Sequence, residues 1–179
     1  MLVSNILFVL SVLGNGGSGD LPQSGVKGYK HGKPYFLYVS SIHQKDSGGD
    51  SLSLSSTAAE RFREMTTAAA QDGFYLRVTS AYRTYRQQFR LKRRKGDFAA
   101  KPGWSTHQQG MSIDICGTTK TIGGKKYRTI LYWWMVRNAR KYGFYNDVEE
   151  ELWHWTFIKD GIVKKKKRPQ TKNNKGNYI

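Results

Sequence analysis

Two short segments with alternating polar and apolar side chains constrain the fold of this chain most strongly. Residues 112–116 read Ser-Ile-Asp-Ile-Cys, and residues 153–157 read Trp-His-Trp-Thr-Phe. Successive side chains of a β-strand point to opposite faces, so each segment fits a half-buried strand with one polar side. We expect the tryptophans and Phe157 of the second segment to face the core. If the two strands are neighbours in one sheet, Asp114 and His154 converge on its polar face.

Two further polar residues stand where they can reach the same face. His107 precedes Asp114 by seven residues with Gly110 between them, so it must lie on a loop or short turn that folds back over the first strand. Glu151 stands three residues before His154, where irregular backbone can bring its carboxylate close. Two imidazoles and one carboxylate are the ligand set of a catalytic Zn²⁺ ion that keeps a position open for water, and a second carboxylate can act as the base. The pattern indicates a zinc peptidase.

Each of these residues also has an ordinary structural interpretation. A histidine beside a tryptophan is often a packed, hydrogen-bonded residue, and an aspartate in a strand can protect a sheet edge. These interpretations suit His154 or Asp114 taken alone. They explain the joint pattern with His107 and Glu151 less well, because four residues of suitable type would then share one neighbourhood by accident.

The same residues belong to three longer motifs. Residues 102–114 follow the pattern Pro-Gly-x-Ser-x-His-x-x-Gly-x-Ala-x-Asp, except that Ser112 replaces the usual alanine. Residues 151–154 follow Glu-x-Trp-His, with Leu152 where proline is frequent, and residues 80–88 are similar to Ser-Gly-Tyr-Arg-Ser-Tyr-x-x-Gln. In this order the motifs resemble those of one metallopeptidase family, which includes the zinc D-alanyl-D-alanine carboxypeptidases of the vancomycin-resistance type and the L-alanyl-D-glutamate peptidases of phage lysins.

The resemblance covers about residues 57 to 160. It implies a zinc-dependent peptidase whose substrates are the stem peptides of bacterial peptidoglycan. Ser105 is expected to contact substrate or to orient a ligand histidine. The implied roles are zinc ligation by His107, Asp114 and His154, general-base catalysis by Glu151, and lining of the substrate cleft by Gln88 and Tyr85.

Arg83 has two interpretations. Peptide hydrolysis builds negative charge on the carbonyl oxygen, and a guanidinium held near the metal can stabilise that charge. The resemblance implies this catalytic role. The alternative is that Arg83 belongs to a basic helix surface, because the same segment contains Arg86, Arg90, Lys92, Arg93, Arg94 and Lys95.

We expect an α+β fold in which a small antiparallel sheet carries the zinc site and packs against two or three helices. The surface histidines are expected to be His31 and His43, and Cys116 is expected to be a buried small hydrophobe. The sequence predicts strands over 35–39 and 74–80, a Ser/Gly-rich loop over 46–56, and a hairpin or lid over 118–126. It also predicts two helices. The first begins with a capping box at Thr57–Glu60 and ends at Gly73, and the second ends near Gly143 and has an apolar face formed by Tyr132, Trp133, Val136 and Ala139.

The chain divides into three expected parts. Residues 1–24 comprise an apolar run and a glycine-rich linker, residues 25–163 the peptidase domain, and residues 164–179 a basic tail that we expect to be disordered. The apolar run, residues 1–13, fits a weak export signal, an arm that contacts a membrane, or a segment packed on a partner. It is too short to span a bilayer, which needs about 20 residues.

The formal net charge of +17 over 179 residues predicts an anionic partner. Anionic wall polymers and lipid both qualify. Nucleic acid is disfavoured because no zinc-finger spacing or recognised nucleic-acid motif is present. Two alternatives remain open: a basic nucleic-acid-binding protein, and a zinc-containing wall-binding or virion module without catalysis. The site of action is expected to be the cell envelope or, for a phage-encoded enzyme, the host wall. The short chain and its charge favour phage.

Overall fold

The computed structural model describes residues 23–159. The apolar run at residues 1–13 and the basic tail at residues 164–179 lie outside the described residues, so the expectations for them stay predictions. Between Gln23 and Lys159, no helix combines the length and apolar character that crossing a membrane requires.

The described range contains nine β-strands and three α-helices. The strands are β1 (Gln23–Lys30), β2 (Lys33–Lys45), β3 (Ser51–Ser55), β4 (Val78–Ser80), β5 (Ser112–Ile115), β6 (Thr119–Ile122), β7 (Lys125–Arg128), β8 (Phe144–Tyr145) and β9 (His154–Phe157). The helices are α1 (Ser56–Gln71), α2 (Tyr85–Lys95) and α3 (Ile130–Asn138).

The strands form three antiparallel sheets. The first has the order β1-β2-β3, the central sheet has the order β4-β5-β9-β8, and β6 and β7 form the third. Side chains of α1, α3 and the central sheet share one core, which includes Phe62, Met135 and Trp155. Small antiparallel sheets and three helices, of which α1 and α3 pack in the core, confirm the expected α+β fold.

The two alternating segments are neighbouring strands of the central sheet. Asp114 in β5 lies opposite His154 in β9, and Ile113 lies opposite Trp155. Ile113, Ile115, Trp155 and Phe157 are buried in the core. The polar residues therefore share the opposite face, because side chains alternate along each strand.

The segment before α1 differs from its prediction. Residues 51–55 were expected in a loop but form β3, whose Leu52 and Leu54 are buried against the core. The helix begins at Ser56, directly after this strand, and Ser55 makes no side-chain capping bond. The hydroxyl of Ser55 instead donates to the sulfur of Met111 at 3.4 Å. The predicted capping box is therefore wrong, although the helix and its buried face are correct.

Two other elements were predicted only in part. The strand expected over 74–80 is reduced to β4, because the backbone at Leu76 bonds to a side chain: its carbonyl accepts from the Gln44 amide at 2.8 Å. In α3 the buried face contains Tyr132, Trp134 and Met135, whereas Trp133 and Val136 are exposed. Trp134 and Met135 pack in the core, and the indole Nε1 of Trp134 also donates to Asp72 at 2.7 Å.

Smaller predictions have mixed outcomes. The hairpin is present as β6-β7, and Gly143 ends the last helical turn with φ of +79°. His31 and His43 are exposed, as expected. Cys116 is only half-buried, because it lies just beyond β5 with its sulfur 3.0 Å from the Arg77 guanidinium.

Candidate metal centre and active-site cleft

A short 3₁₀ turn over Thr106–Gln109 brings His107 to the polar face of the central sheet. The hydroxyl of Ser105 accepts a hydrogen bond from the amide of His107 at 3.3 Å, which caps the turn. Gly110 ends the turn with φ of +64°, and a Cβ there would lie 2.6 Å from the backbone nitrogen of Ser55. Only glycine fits this close approach, so the turn is pressed against the start of α1.

Three potential ligand atoms converge at this face: Nε2 of His107, Oδ1 of Asp114 and Nδ1 of His154. Oδ1 lies 3.4 Å from Nε2 and 3.1 Å from Nδ1, and the two nitrogens are 3.2 Å apart. A tetrahedral zinc centre with its usual bond lengths has ligand-to-ligand edges of about 3.3 Å. The donor types and their spacing therefore fit a zinc ion.

The hydrogen bond behind His107 shows which ring nitrogen faces the centre with a lone pair. Nδ1 lies 2.7 Å from the carbonyl oxygen of Ala81, and a carbonyl can only accept. The ring proton therefore resides on Nδ1, and Nε2 presents its lone pair to Asp114 and His154. Electron pairs this close repel one another unless a cation lies among them.

Burial and charge set the protonation of these ligands. Burial lowers the pKa of His107 to about 4, although the neighbouring carboxylate opposes this shift, so the imidazole is neutral at pH 7. Burial alone would raise the pKa of Asp114, but its interactions with His107 and His154 hold that pKa well below its usual range. A neutral imidazole and an ionised carboxylate are the forms that bind zinc.

Glu151 lies beside this cluster on irregular backbone just before β9. Its amide donates to the carbonyl of Val148, and its own carbonyl accepts from the amide of His154 and from the side chain of Asn146. Oε2 lies 4.0 Å from Nδ1 of His154. The carboxylate is thus within reach of a water molecule at the candidate metal position, which is the placement a general base needs.

Arg83 is set apart from the basic residues that follow it. Its side chain is largely buried, whereas Arg86 and Arg90 are exposed on α2. Nη1 donates to Oε1 of Gln88 at 2.7 Å, and Nη2 lies 3.7 Å from Oδ2 of Asp114. Burial lowers the pKa of Arg83, while Asp114 and Glu151 oppose that shift. The geometry therefore disfavours the surface interpretation of Arg83.

A cleft of about 600 Å³ opens in front of these residues. Gln88 and Ser105 line it, together with Leu91, Ala99, Trp104 and Trp153. Tyr85, expected in the cleft, is absent from its lining because its ring packs on Tyr29 with centroids 4.9 Å apart.

The position of Trp153 differs from its prediction. The alternating pattern predicted it for the core, but β9 begins only at His154, so the alternation does not extend to it. It is half-buried on the cleft wall, where the Lys126 ammonium lies 4.9 Å from its ring centroid.

Sequence reasoning missed the polar groups behind His154. Asp147 and Thr156 are buried, and their side chains are hydrogen-bonded to each other at 2.7 Å. The alternation in β9 already placed Thr156 on the same face as His154, so that signal was available. No local pattern marked Asp147, because a loop of irregular backbone brings it there.

Comparisons with known proteins agree with this geometry. A family model described as VanY, D-alanyl-D-alanine carboxypeptidase, matches residues 51–160. The putative carboxypeptidase YodJ of Bacillus subtilis (strain 168) is 28% identical over 130 residues, which are 56% of this chain and 45% of that protein. The chain therefore spans less than half the length of this curated relative.

Two solved structures are similar in fold. The LdcB LD-carboxypeptidase has a TM-score of 0.55 and 25% identity, covering 69% of this chain and 70% of its own. VanYB, solved in complex with D-alanine-D-alanine, has a TM-score of 0.53 and 22% identity, covering 73% and 84%. Because the family model matches more than half of the residues, the chain belongs to the VanY D-alanyl-D-alanine carboxypeptidase family.

Proposed function

We propose that this protein is a zinc-dependent peptidase that hydrolyses the peptide part of peptidoglycan. The observation that carries the proposal is the convergence of Nε2 of His107, Oδ1 of Asp114 and Nδ1 of His154 at separations of 3.1–3.4 Å. Membership of the VanY family supports the substrate class. The proposed site of action is the cell envelope or the space outside the cell.

In this proposal His107, Asp114 and His154 hold the metal ion, and each residue around them has one task. A zinc ion bound there supplies a Lewis acid that lowers the pKa of a coordinated water toward neutrality. Glu151 accepts the proton of the attacking water and passes it to the leaving amine. Arg83, whose Nε has no hydrogen-bond partner among residues 23–159, offers N–H groups to the developing oxyanion.

The remaining cleft residues position these groups and the substrate. Gln88 is buried, accepts from Arg83, and donates through Nε2 to the carbonyl of Ala100 at 2.8 Å. It therefore ties the guanidinium to the cleft wall. Ser105 orients His107 by capping its turn. We propose a substrate-binding role for both residues because both line the cleft, whereas Tyr85 does not line it.

We propose carboxypeptidase activity on the terminal residue of the stem peptide. The family description, the curated relative and the LD-carboxypeptidase similar in fold all favour removal of one terminal residue. No observation on residues 23–159 favours the phage-lysin endopeptidase or a phage origin. The zinc-containing module without catalysis is disfavoured because Glu151 and Arg83 both lie beside the candidate centre.

The test is mass spectrometry of purified muropeptides digested by the zinc-loaded protein, with a chelator-treated sample as control. Loss of a single alanine, seen only with zinc, is the expected result. Release of the whole stem peptide would instead identify an endopeptidase. No product from any wall chemotype, by a protein that binds zinc, would contradict the proposal.

The second part of the proposal concerns an anionic wall polymer as partner. Helix α2 carries six cations and no acid, and within the described range only Lys92 forms an ion pair, with Asp97. Arg86, Arg90 and Arg94 are four residues apart on one face, where like charges destabilise a helix by a few tenths of a kcal/mol per pair. A polymer with closely spaced phosphates relieves this repulsion. Arg90 and Arg94 also line a depression that adjoins the cleft at Arg83.

A further inference from the structure

We propose that Asp147 and Thr156 are positioning residues that fix the tautomer of His154, so that the lone pair of Nδ1 faces the metal position. The inference rests on the proposed metal centre. Asp147 and Thr156 are buried directly behind His154, on the side away from Asp114. The acid belongs neither to the proposed ligands nor to the proposed catalytic pair.

The direction of the hydrogen bonds carries the argument. Thr156 Oγ1 lies 2.7 Å from Oδ1 of Asp147, and a carboxylate can only accept, so the single hydroxyl proton points to Asp147. Thr156 Oγ1 also lies 3.1 Å from Nε2 of His154. Because its proton is already committed, the hydroxyl must accept from Nε2–H. The proton of the imidazole is thereby held on Nε2, which leaves Nδ1 unprotonated.

A fixed tautomer is needed because two acceptors attract the same proton to the opposite nitrogen. Nδ1 lies 3.1 Å from Oδ1 of Asp114 and 3.2 Å from Nε2 of His107. In the metal-free protein both atoms favour a proton on Nδ1, where it would occupy the ligand position. Asp147 favours a proton on Nε2 in two ways. It accepts the hydroxyl proton of Thr156, and its own Oδ1 lies 3.6 Å from Nε2.

Ser112 completes the arrangement. Its hydroxyl lies 2.8 Å from Thr156 Oγ1 and 2.6 Å from Thr106 Oγ1, so it links β9 to the turn that carries His107. Ser112 stands where the family pattern has alanine, which has no hydroxyl. The serine therefore places a hydroxyl oxygen beside Thr156 Oγ1, where alanine would leave no polar neighbour.

The experiment compares the wild-type protein with Asp147→Ala, Thr156→Val and the matched control Thr156→Ser. Nitrogen-15 NMR of labelled imidazoles in the metal-free proteins reads the tautomer, and the chain has only four histidines to assign. Competition of zinc chloride against a fluorescent chelator gives the affinity. We expect Nε2–H in the wild type and in Thr156→Ser, and Nδ1–H in the other two. Loss of such a supporting group weakens zinc binding about 10- to 100-fold.

Thr156→Val preserves side-chain volume, so it tests the proposal even if removing the buried acid unfolds the protein. An unchanged tautomer and unchanged zinc affinity in Thr156→Val would overturn the proposal. So would equal weakening in Thr156→Ser, because that variant keeps the hydroxyl. Neither readout requires hydrolysis: a tautomer shift in a protein that cleaves no wall peptide would sustain this inference while contradicting the proposed function.

Discussion

The charged side chains of the cleft and those on the outer surface of α2 lie in opposite environments. In the cleft, Asp114, His107, His154 and Arg83 are largely buried, and each has a partner within 4 Å. On α2, the exposed arginines have no ion pair within residues 23–159. A buried charge left unpaired costs about 3–5 kcal/mol, whereas an exposed pair contributes about 0–1 kcal/mol. Activity in the cleft should therefore depend on the positions of its charged groups. Binding of an anionic polymer by α2 should depend on how many charges the helix carries.

Glu151→Gln gives the largest expected effect. The amide cannot accept a proton from the attacking water, so kcat should fall about 1,000-fold, within the usual contribution of a general base. Zinc content should stay unchanged, because the ligands are other residues. Steady-state kinetics and metal analysis check both points. Glu149→Gln removes the same charge from an exposed position and should behave as wild type. A near-normal rate for Glu151→Gln would remove this residue from the proposed mechanism.

Arg83→Gln comes next. Removing one donor to the oxyanion should lower kcat about 100-fold while KM changes little. The control is Arg86→Gln, which loses an equal charge three residues away on the exposed surface. If both variants lost activity equally, the difference between buried and exposed arginines would not hold.

Replacing Arg90 and Arg94 together by glutamine should give the smallest effect on chemistry. Retention on immobilised poly(glycerol phosphate) at low salt should fall about 10-fold, and its dependence on salt should become shallower. Hydrolysis of small soluble muropeptides should stay unchanged. The matched control replaces Lys120 and Lys125 on the β6-β7 hairpin by glutamine. Equal loss of retention in the control would mean that net charge, and not α2, carries the binding.

The sequence predicted the centre of the cleft better than its surroundings. The polar-apolar alternation of residues 112–116 and 153–157 is a local signal, and local backbone geometry decides which face each side chain takes. The convergence of Asp114 and His154 followed from pairing those two strands. The turn that carries His107 was likewise indicated by Gly110, whose φ is positive.

Long-range contacts decided what the sequence left open. The buried face of α3 is set by contacts with distant residues: Trp134 and Met135 pack in the common core, and Trp134 donates to Asp72, 62 residues earlier. The strand β3 was hidden by a serine- and glycine-rich composition, although Leu52 and Leu54 alternate with serines and are buried. The contact between Asp147 and Thr156 depends on the path of the loop before β9. No residue pattern near Asp147 encodes that path.

The measurement that tests the account most directly is the zinc content of the purified protein after dialysis against limited zinc, for the wild type and for Asp114→Ala. Asp97→Ala, which changes an exposed acid, is the control. We expect one zinc ion per chain in the wild type and in the control, and loss of that ion in Asp114→Ala. A wild-type protein without zinc, or an Asp114→Ala variant that retains the full amount, would contradict it.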